Sequence, residues 1–512
     1  MVCGKGDEEA AVMTGATWRK YHKWLGYAFC FFMPLFCLSG IVLNHRAAVS
    51  DMNVGREWLP ARYHYSAWNG GLLRGTTPYT VGDSDGSVLL YGSGGIWRTD
   101  SEASFFSDFS SGLPDGADCR QIRNIVQTAD RELFAVSLFG LYRYEGKDAG
   151  WQTIFAPGDD GELLSDVFCR KDTLLLTGRS YLYLSVAPYT SFRKIQIKKP
   201  KDFQEDVSMF RAVWMLHSGE LFGSVGKIAV DVIAGVLILL CLTGLMFRFA
   251  AVGVRRQRQR GNNAGKAIGL SRLSFLWHDR LGRTSVIFTL LIAVTGWCLR
   301  PPAMIPLALT KIPAVPGTEL DSENPWNDKL RILRYDESCG DWLLYTSEGF
   351  YSLENPDGIP AKIERTPPVS VMGLNVFEKS AAGQWLCGSF SGMFVWDRQR
   401  NAVMDYYTHE SVEDDVKGPP FGKRAISGFS DDFDAGPLVA EYYEGTDAVP
   451  QPEELNTLPM SLWNFALEVH SGRIFIGIAA TYVFIFITGI GVVLCLWSGW
   501  KIRKRKKAGQ RR

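Results

Sequence analysis

The stretch that decides the reading is His22-Lys23-Trp24-Leu25-Gly26, which opens an apolar run over residues 27–43 containing Ser39-Gly40. Its counterpart is His278-Asp279-Arg280-Leu281-Gly282, ahead of the run 286–299, with Thr295-Gly296 at the same offset. A second pattern pairs Leu216-His217-Ser218-Gly219 with Val469-His470-Ser471-Gly472. These precede the runs 228–247 and 474–497, which carry Thr243-Gly244 and Thr488-Gly489. A helix needs roughly 20 apolar residues to cross a bilayer, so four transmembrane helices are expected. The order helix, long polar segment, helix occurs twice. Each half starts on the same side, which is a parallel repeat about the membrane normal.

A chain of 512 residues with 55 Lys+Arg against 54 Asp+Glu carries +1. That balance excludes an ordinary nucleic-acid binder, which is strongly basic, and 46% hydrophobic residues exclude a disordered chain. The mean hydropathy of -0.03 averages unlike parts. Residues 248–272 hold seven Lys/Arg and no acid, and 501–512 hold eight and no acid. Such clusters mark the cytoplasmic side and also suit lipid headgroup contact. The expected layout follows: a cytoplasmic tail 1–17, helix 18–45, periplasmic segment 46–207, interfacial helix plus second helix 208–250 and cytoplasmic loop 251–273. The second half repeats it with helix 274–300, periplasmic segment 301–460, helix 461–498 and basic tail 499–512. The first apolar run is too long for a cleaved signal and lacks a small-residue cleavage site, so it reads as a retained anchor in the bacterial inner membrane.

The outer segments read as β-rich. Residues 89–98, 134–144, 343–353 and 385–396 each hold an apolar strand, a short turn usually ending in Gly, and an aromatic strand, with a weaker copy at 174–184. That is a hairpin signature, recurring near the ~40–50 residue period of propeller blades. A six-bladed propeller assembled from both segments and two separate partial sheets both fit. The fold class expected is therefore an α+β membrane protein, with a four-helix bundle made of two parallel repeats and a β-rich, propeller-like periplasmic head. Cys119–Cys169 and Cys339–Cys387 have similar separations, which allows one disulfide per half.

Five of the seven histidines lie at helix ends: His22, His45, His217, His278 and His470. Pairing repeat-equivalent residues puts His22 with His278 at the inner face and His217 with His470 at the outer face. Two imidazoles from opposite helices supply both axial ligands of a haem iron. Gly26, Gly40, Gly244, Gly282, Gly296 and Gly489 leave room for a flat macrocycle, although close helix packing accounts equally well for any one of them. Zinc is disfavoured, because no Cys or carboxylate joins these histidines at ligand spacing. His217 is expected on a short interfacial helix with Met209, Trp214 and Leu221 as its apolar face. Its distance from the bundle leaves His45 as an alternative outer ligand. Trp24 and Trp277 read as interface aromatics. Asp231 with the histidines would suit a proton relay in a transporter component.

The motifs His22 through Gly26 with Ser39-Gly40, Leu216 through Gly219 with Thr243-Gly244, and His278 through Gly282 resemble the PepSY-associated transmembrane family. That family includes iron-regulated inner-membrane proteins and ferric-siderophore reductases. The resemblance implies a helical bundle holding haem b, two in number here, by bis-histidine ligation. It further implies electron transfer to a periplasmic ferric chelate such as a siderophore, from a quinol or a redox protein. The outer segments depart from the small α+β domains of the family. The rival reading is a membrane-anchored β-repeat module for binding or sensing, without redox activity.

Overall fold

The computed structural model describes residues 15–79, 86–158, 161–201, 203, 206–412 and 424–509. Residues 1–14 and 510–512, on which part of the charge reading rests, lie outside the described residues. The helices are α1 Gly15–Phe29, α2 Phe32–Asn44, α3 Met209–Ser218, α4 Gly223–Gln259, α5 Gly265–Cys298, α6 Met304–Leu309, α7 Glu453–Asn456, α8 Leu462–His470 and α9 Ile478–Gly509. The chain divides into two units, each drawn from both halves. Residues 1–46, 205–321 and 465–512 form the helical unit, and residues 47–204 with 322–464 form the β unit.

In the helical unit three helices are long and apolar enough to cross a membrane: residues 220–259, 265–298 and 480–502. α1 and α2 make a fourth span if taken together, bent by 55°. The bend has a local cause. Pro34 lacks an N–H, and its ring crowds the carbonyl four residues back, at Cys30, where α1 ends. The repeat-equivalent position is Leu290, and α5 runs through it unbroken. α1 packs on α9, α9 on α5, α5 on α4 and α4 on α2. Val225, Ile228, Val232, Ile287 and Phe288 stand exposed along α4 and α5. Apolar side chains pointing outward over the whole length of a helix suit lipid rather than water. The protein is a membrane protein.

Element bounds depart from the sequence reading in two places. The basic loop is mostly helical: α4 continues to Gln259 and α5 begins at Gly265, since Arg and Lys are good helix formers. The fourth membrane helix, α9, starts at Ile478 rather than 474, because Gly472 takes φ +77° and turns the chain. α3 stops at Gly219, a left-handed cap at φ +83°. Met215, Ala212 and Leu216 cluster with Leu221 and Leu320, while Met209 and Trp214 are exposed.

Among the described residues the β unit holds seven antiparallel sheets: six are meanders of consecutive strands, and one pairs Asn53–Val54 with Met460–Ser461. Four-stranded sheets span residues 75–108, 124–155, 164–195, 330–362 and 374–405, and a two-stranded sheet spans 426–441. The five hairpins read from the sequence are the middle strand pairs of the four-stranded sheets. In the first, Gly95 takes φ +89° and its missing Cβ leaves room for Ser110 Oγ, which would sit 2.5 Å away. Only Gly meets both demands.

The first strands of successive sheets lie side by side. Gly75–Tyr79 lies against Asn124–Gln127, that strand against Leu164–Arg170, and that against Leu330–Asp336. Leu374–Lys379 lies against Ile426–Ser430, which returns to Gly75–Tyr79. An apolar cluster fills each step. Ile332, Tyr345 and Phe350 meet Leu374, Phe377 and Trp385, and at the closure Phe433, Leu438 and Ala440 pack on Leu72, Leu90 and Trp97. The closure is also hydrogen-bonded: Thr76 Oγ1 donates to Asp432 at 2.6 Å and Phe429 N–H to the Arg74 carbonyl at 3.3 Å.

The expected disulfides are absent among the described residues; all four outer cysteines are free. Cys387 is buried inside its sheet, whereas Cys339 sits exposed on the turn after Asp336, so the two face different surroundings.

Candidate functional site

Four histidines of the helical unit meet in two pairs. His22 of α1 faces His278 of α5 with ring centroids 6.0 Å apart and planes at 61°. His217 of α3 faces His470 of α8, also at 6.0 Å, with planes at 48°. α3 and α8 present these rings in the same way. Each follows a short strand, is capped by a serine (Ser208 accepts from Arg211 N–H, Ser461 from Asn464 N–H), and ends in His-Ser-Gly with a left-handed glycine.

Each ring is seated on a neighbouring helix by one device. The Nδ1 group of His22 lies 3.0 Å from the carbonyl oxygen of Cys495, and that of His278 lies 3.0 Å from Leu240 O. His217 Nδ1 lies 3.2 Å from Ile292 O and His470 Nδ1 lies 2.9 Å from Phe36 O. Three residues past each carbonyl stands a hydroxyl within 3.3 Å of the same nitrogen: Ser498, Thr243, Thr295 and Ser39. The next residue is a glycine in every case, and its absent side chain is where the ring lies. A Cβ would stand 3.1 Å from the ring at Gly499, 3.3 Å at Gly244, 2.6 Å at Gly296 and 3.2 Å at Gly40.

This seat fixes the tautomer. A backbone carbonyl only accepts, so Nδ1 carries the proton and donates it, leaving the Nε2 lone pair free on every ring. That is the state in which imidazole binds a metal. Two imidazoles that shared one metal through Nε2 at about 2.0 Å would have ring centroids roughly 6 Å apart, and both pairs match that separation. The four side chains therefore fit two bis-imidazole haem sites. α5 measures the distance between the levels. His278 belongs to one pair and Thr295-Gly296 seats the other, 17 positions on, or ~25 Å of helix.

His45 does not join either pair. Its Nε2 lies 2.7 Å from Asp231, and Asn44 reaches both Asp231 at 3.4 Å and the Ser218 carbonyl at 3.0 Å. Trp24 and Trp277 are exposed. Of the glycines singled out in the sequence, Gly40, Gly244 and Gly296 admit histidine rings rather than a macrocycle face, Gly489 receives Trp297, and Gly26 faces open space. Sequence reasoning missed Ser498-Gly499, having matched Thr488-Gly489 to Thr243-Gly244. The signal was there: Thr243 lies 26 positions after His217, and Ser498, at 28 after His470, is the closer counterpart than Thr488 at 18.

Among the described residues one group of acid and thiol side chains is spaced for a metal: Asp336, Cys339 and Asp341. It is already neutralised. Arg398 reaches both carboxylates at 2.7 Å, and Lys379 reaches Asp336 at 2.9 Å. Although burial opposes ionisation, hydrogen bonds from Ser338, Trp385, Lys379 and Arg398 hold the Asp336 carboxyl below the usual range. The cluster ties neighbouring strands together.

The family described as "PepSY-associated TM region" matches residues 12–250 and 147–506. No curated protein matches the sequence. Among solved structures, the extracellular domain of BT4673 from B. thetaiotaomicron, described as a hybrid two-component system, has 9% identity and a TM-score of 0.35, over 73% of this chain and 32% of that one. The extracellular domain of BT3049 from the same organism has 8% identity and a TM-score of 0.30, over 77% and 36%. The chain spans about a third of the length of those structures.

Proposed function

The chain belongs to the PepSY-associated TM region family, and from that premise we propose that it is a haem b-containing oxidoreductase of the bacterial inner membrane. It takes electrons from a quinol or a redox protein and delivers them across the membrane to a periplasmic acceptor, a ferric chelate of the siderophore type. Both termini are cytoplasmic in this reading, and the bent α1–α2 span, α4, α5 and α9 act as a four-helix bundle. The six-sheet ring serves as a six-bladed propeller on the periplasmic side.

The observation that carries the proposal is the seat repeated four times. Each histidine has its Nδ1 proton committed to a carbonyl, its Nε2 free, and a partner ring at 6.0 Å. His22 and His278 would hold one haem, and His217 and His470 the other. Bound there, haem b supplies a one-electron Fe(III)/Fe(II) couple. The residues around it orient the imidazoles and raise their basicity through the Nδ1–H···O bonds. The levels, ~25 Å apart along α5, would cover most of the ~30 Å hydrocarbon core.

The test is stoichiometric. Protein purified from haem-replete cells should be red, and His22→Ala and His278→Ala should each remove about one of two haem equivalents. A colourless wild-type preparation would leave the β-repeat binding module as the better reading. Retention of both haems in these variants would refute the inner pairing.

A further inference from the structure

The outer histidine pair has an unmatched positive charge beside it. Arg300 follows the end of α5, four positions past the Gly296 that faces His217. It is half-buried, and its charge acts on His470 and on Arg473, Tyr482 and Glu468. Arg473, three positions after His470, gives its Nη2 to Glu468 at 2.5 Å and its Nε to Ser471 at 3.1 Å. Glu468 is thereby matched. The Arg300 guanidinium makes no ion pair or hydrogen bond among the described residues, and burial next to Arg473 lowers its hold on its proton.

A guanidinium taken from water beside a second one is costly unless an anion joins them. Among the described residues the carboxylate within reach of Arg300, Glu468, is bonded to Arg473 and not to Arg300. Asp231, the acid of α4, is occupied by His45 and Asn44. The charge is also not a demand of the repeat. The equivalents of Arg300 and Arg473 in the first half are Asn44 and Glu220. The arginines are therefore an addition to one half, one a helical turn past the Gly296 that faces His217 and the other three positions after His470.

We propose that Arg300, with Arg473 beside it, forms a carboxylate-binding site that seats a propionate of the haem held by His217 and His470. Arginine suits that task through its planar, bidentate fork. The inference rests on the haem reading above and adds which end of the macrocycle faces these residues.

The full-length protein is compared with Arg300→Gln and Arg300→Lys by haem stoichiometry and by potentiometric titration of the b-type absorbance. Arg300→Gln should either lower occupancy of one of the two haems several-fold or shift that component to a more negative midpoint, since a nearby cation favours the electron. The other component should not move, and Arg300→Lys should restore most of the effect. As a check that needs no substitution, wild-type chain made in haem-deficient cells should take up two equivalents of haem but only one of haem dimethyl ester. Unchanged occupancy and unchanged potentials in Arg300→Gln, or full uptake of the dimethyl ester, would overturn the assignment. An arginine site that serves a lipid phosphate instead would give that result. A wild-type protein that takes up no haem would remove the haem reading itself, which is a distinct outcome.

Discussion

Gly296→Ala tests the seat more sharply than removal of a ligand, because the histidines all remain. A Cβ at Gly296 would lie 2.6 Å from His217 Cε1, so reaching the 3.4 Å of ordinary contact requires the ring to move by about 0.8 Å. The ring cannot yield freely, since its Nδ1 is held 3.2 Å from both Ile292 O and Thr295 Oγ1. Displacement therefore sacrifices that bond, worth ~1 kcal/mol in its own right, and moves Nε2 by a large fraction of a metal–ligand bond. Loss of such an outer partner weakens metal binding by roughly 10–100-fold. Gly244→Ala is the internal control. Its Cβ would lie 3.3 Å from His278, within a tenth of an ångström of ordinary contact. The assay is haem per polypeptide during dialysis against a haem-scavenging protein. Gly296→Ala should lose one equivalent 10–100-fold faster than wild type, and Gly244→Ala should lose neither appreciably faster. Equal retention in both variants would refute the idea that the glycines exist to admit the rings.

Two further outcomes concern the β unit. Removal from water pushes the Glu378 carboxyl up to about 7, against the pull of Arg334 and with added repulsion from Asp431, Asp432 and Asp166. Because its folded pKa lies above the ordinary glutamate value of 4.5, the folded state binds the extra proton between those values, and stability falls as pH rises through that window. Glu378→Gln should therefore raise the melting temperature at pH 8 while leaving it nearly unchanged at pH 4.5; equal shifts at both would contradict the assignment. Arg398→Ala leaves the buried Asp336 with Lys379 as its remaining cation and takes the cation from Asp341, and should destabilise the β unit by ~3 kcal/mol, read as a lowered denaturant midpoint. A variant within 1 kcal/mol of wild type would show the pair to be dispensable.

The histidine contexts made the helical unit legible. His-x-x-Leu-Gly and His-Ser-Gly recur because each ring needs a fixed approach, and Ser/Thr-Gly recurs because each ring needs a carbonyl, a hydroxyl and an empty side-chain position in one turn. The equal spacing of 17 positions in His22 to Ser39 and His278 to Thr295 was visible for the same reason. What stayed hidden was pairing between helices far apart in sequence. Ser498-Gly499 serves His22, 476 positions away, and no local pattern ties the two. Helix ends were misplaced where arginines continued α4 past the apolar run and where Gly472 cut the chain before α9. In the β unit five hairpins stood out through their aromatic alternation. The sixth sheet, 426–441, has strands of five and four residues and one aromatic, Phe429, so its role in closing the ring onto Thr76 emerged only in three dimensions.

The most direct measurement is low-temperature electron paramagnetic resonance of the oxidised full-length protein, alongside its haem content. Two b haems per chain, each giving a low-spin ferric signal of bis-imidazole type, are what the paired rings at 6.0 Å predict. A protein without haem, or one whose iron is high-spin with an open axial position, would contradict the account.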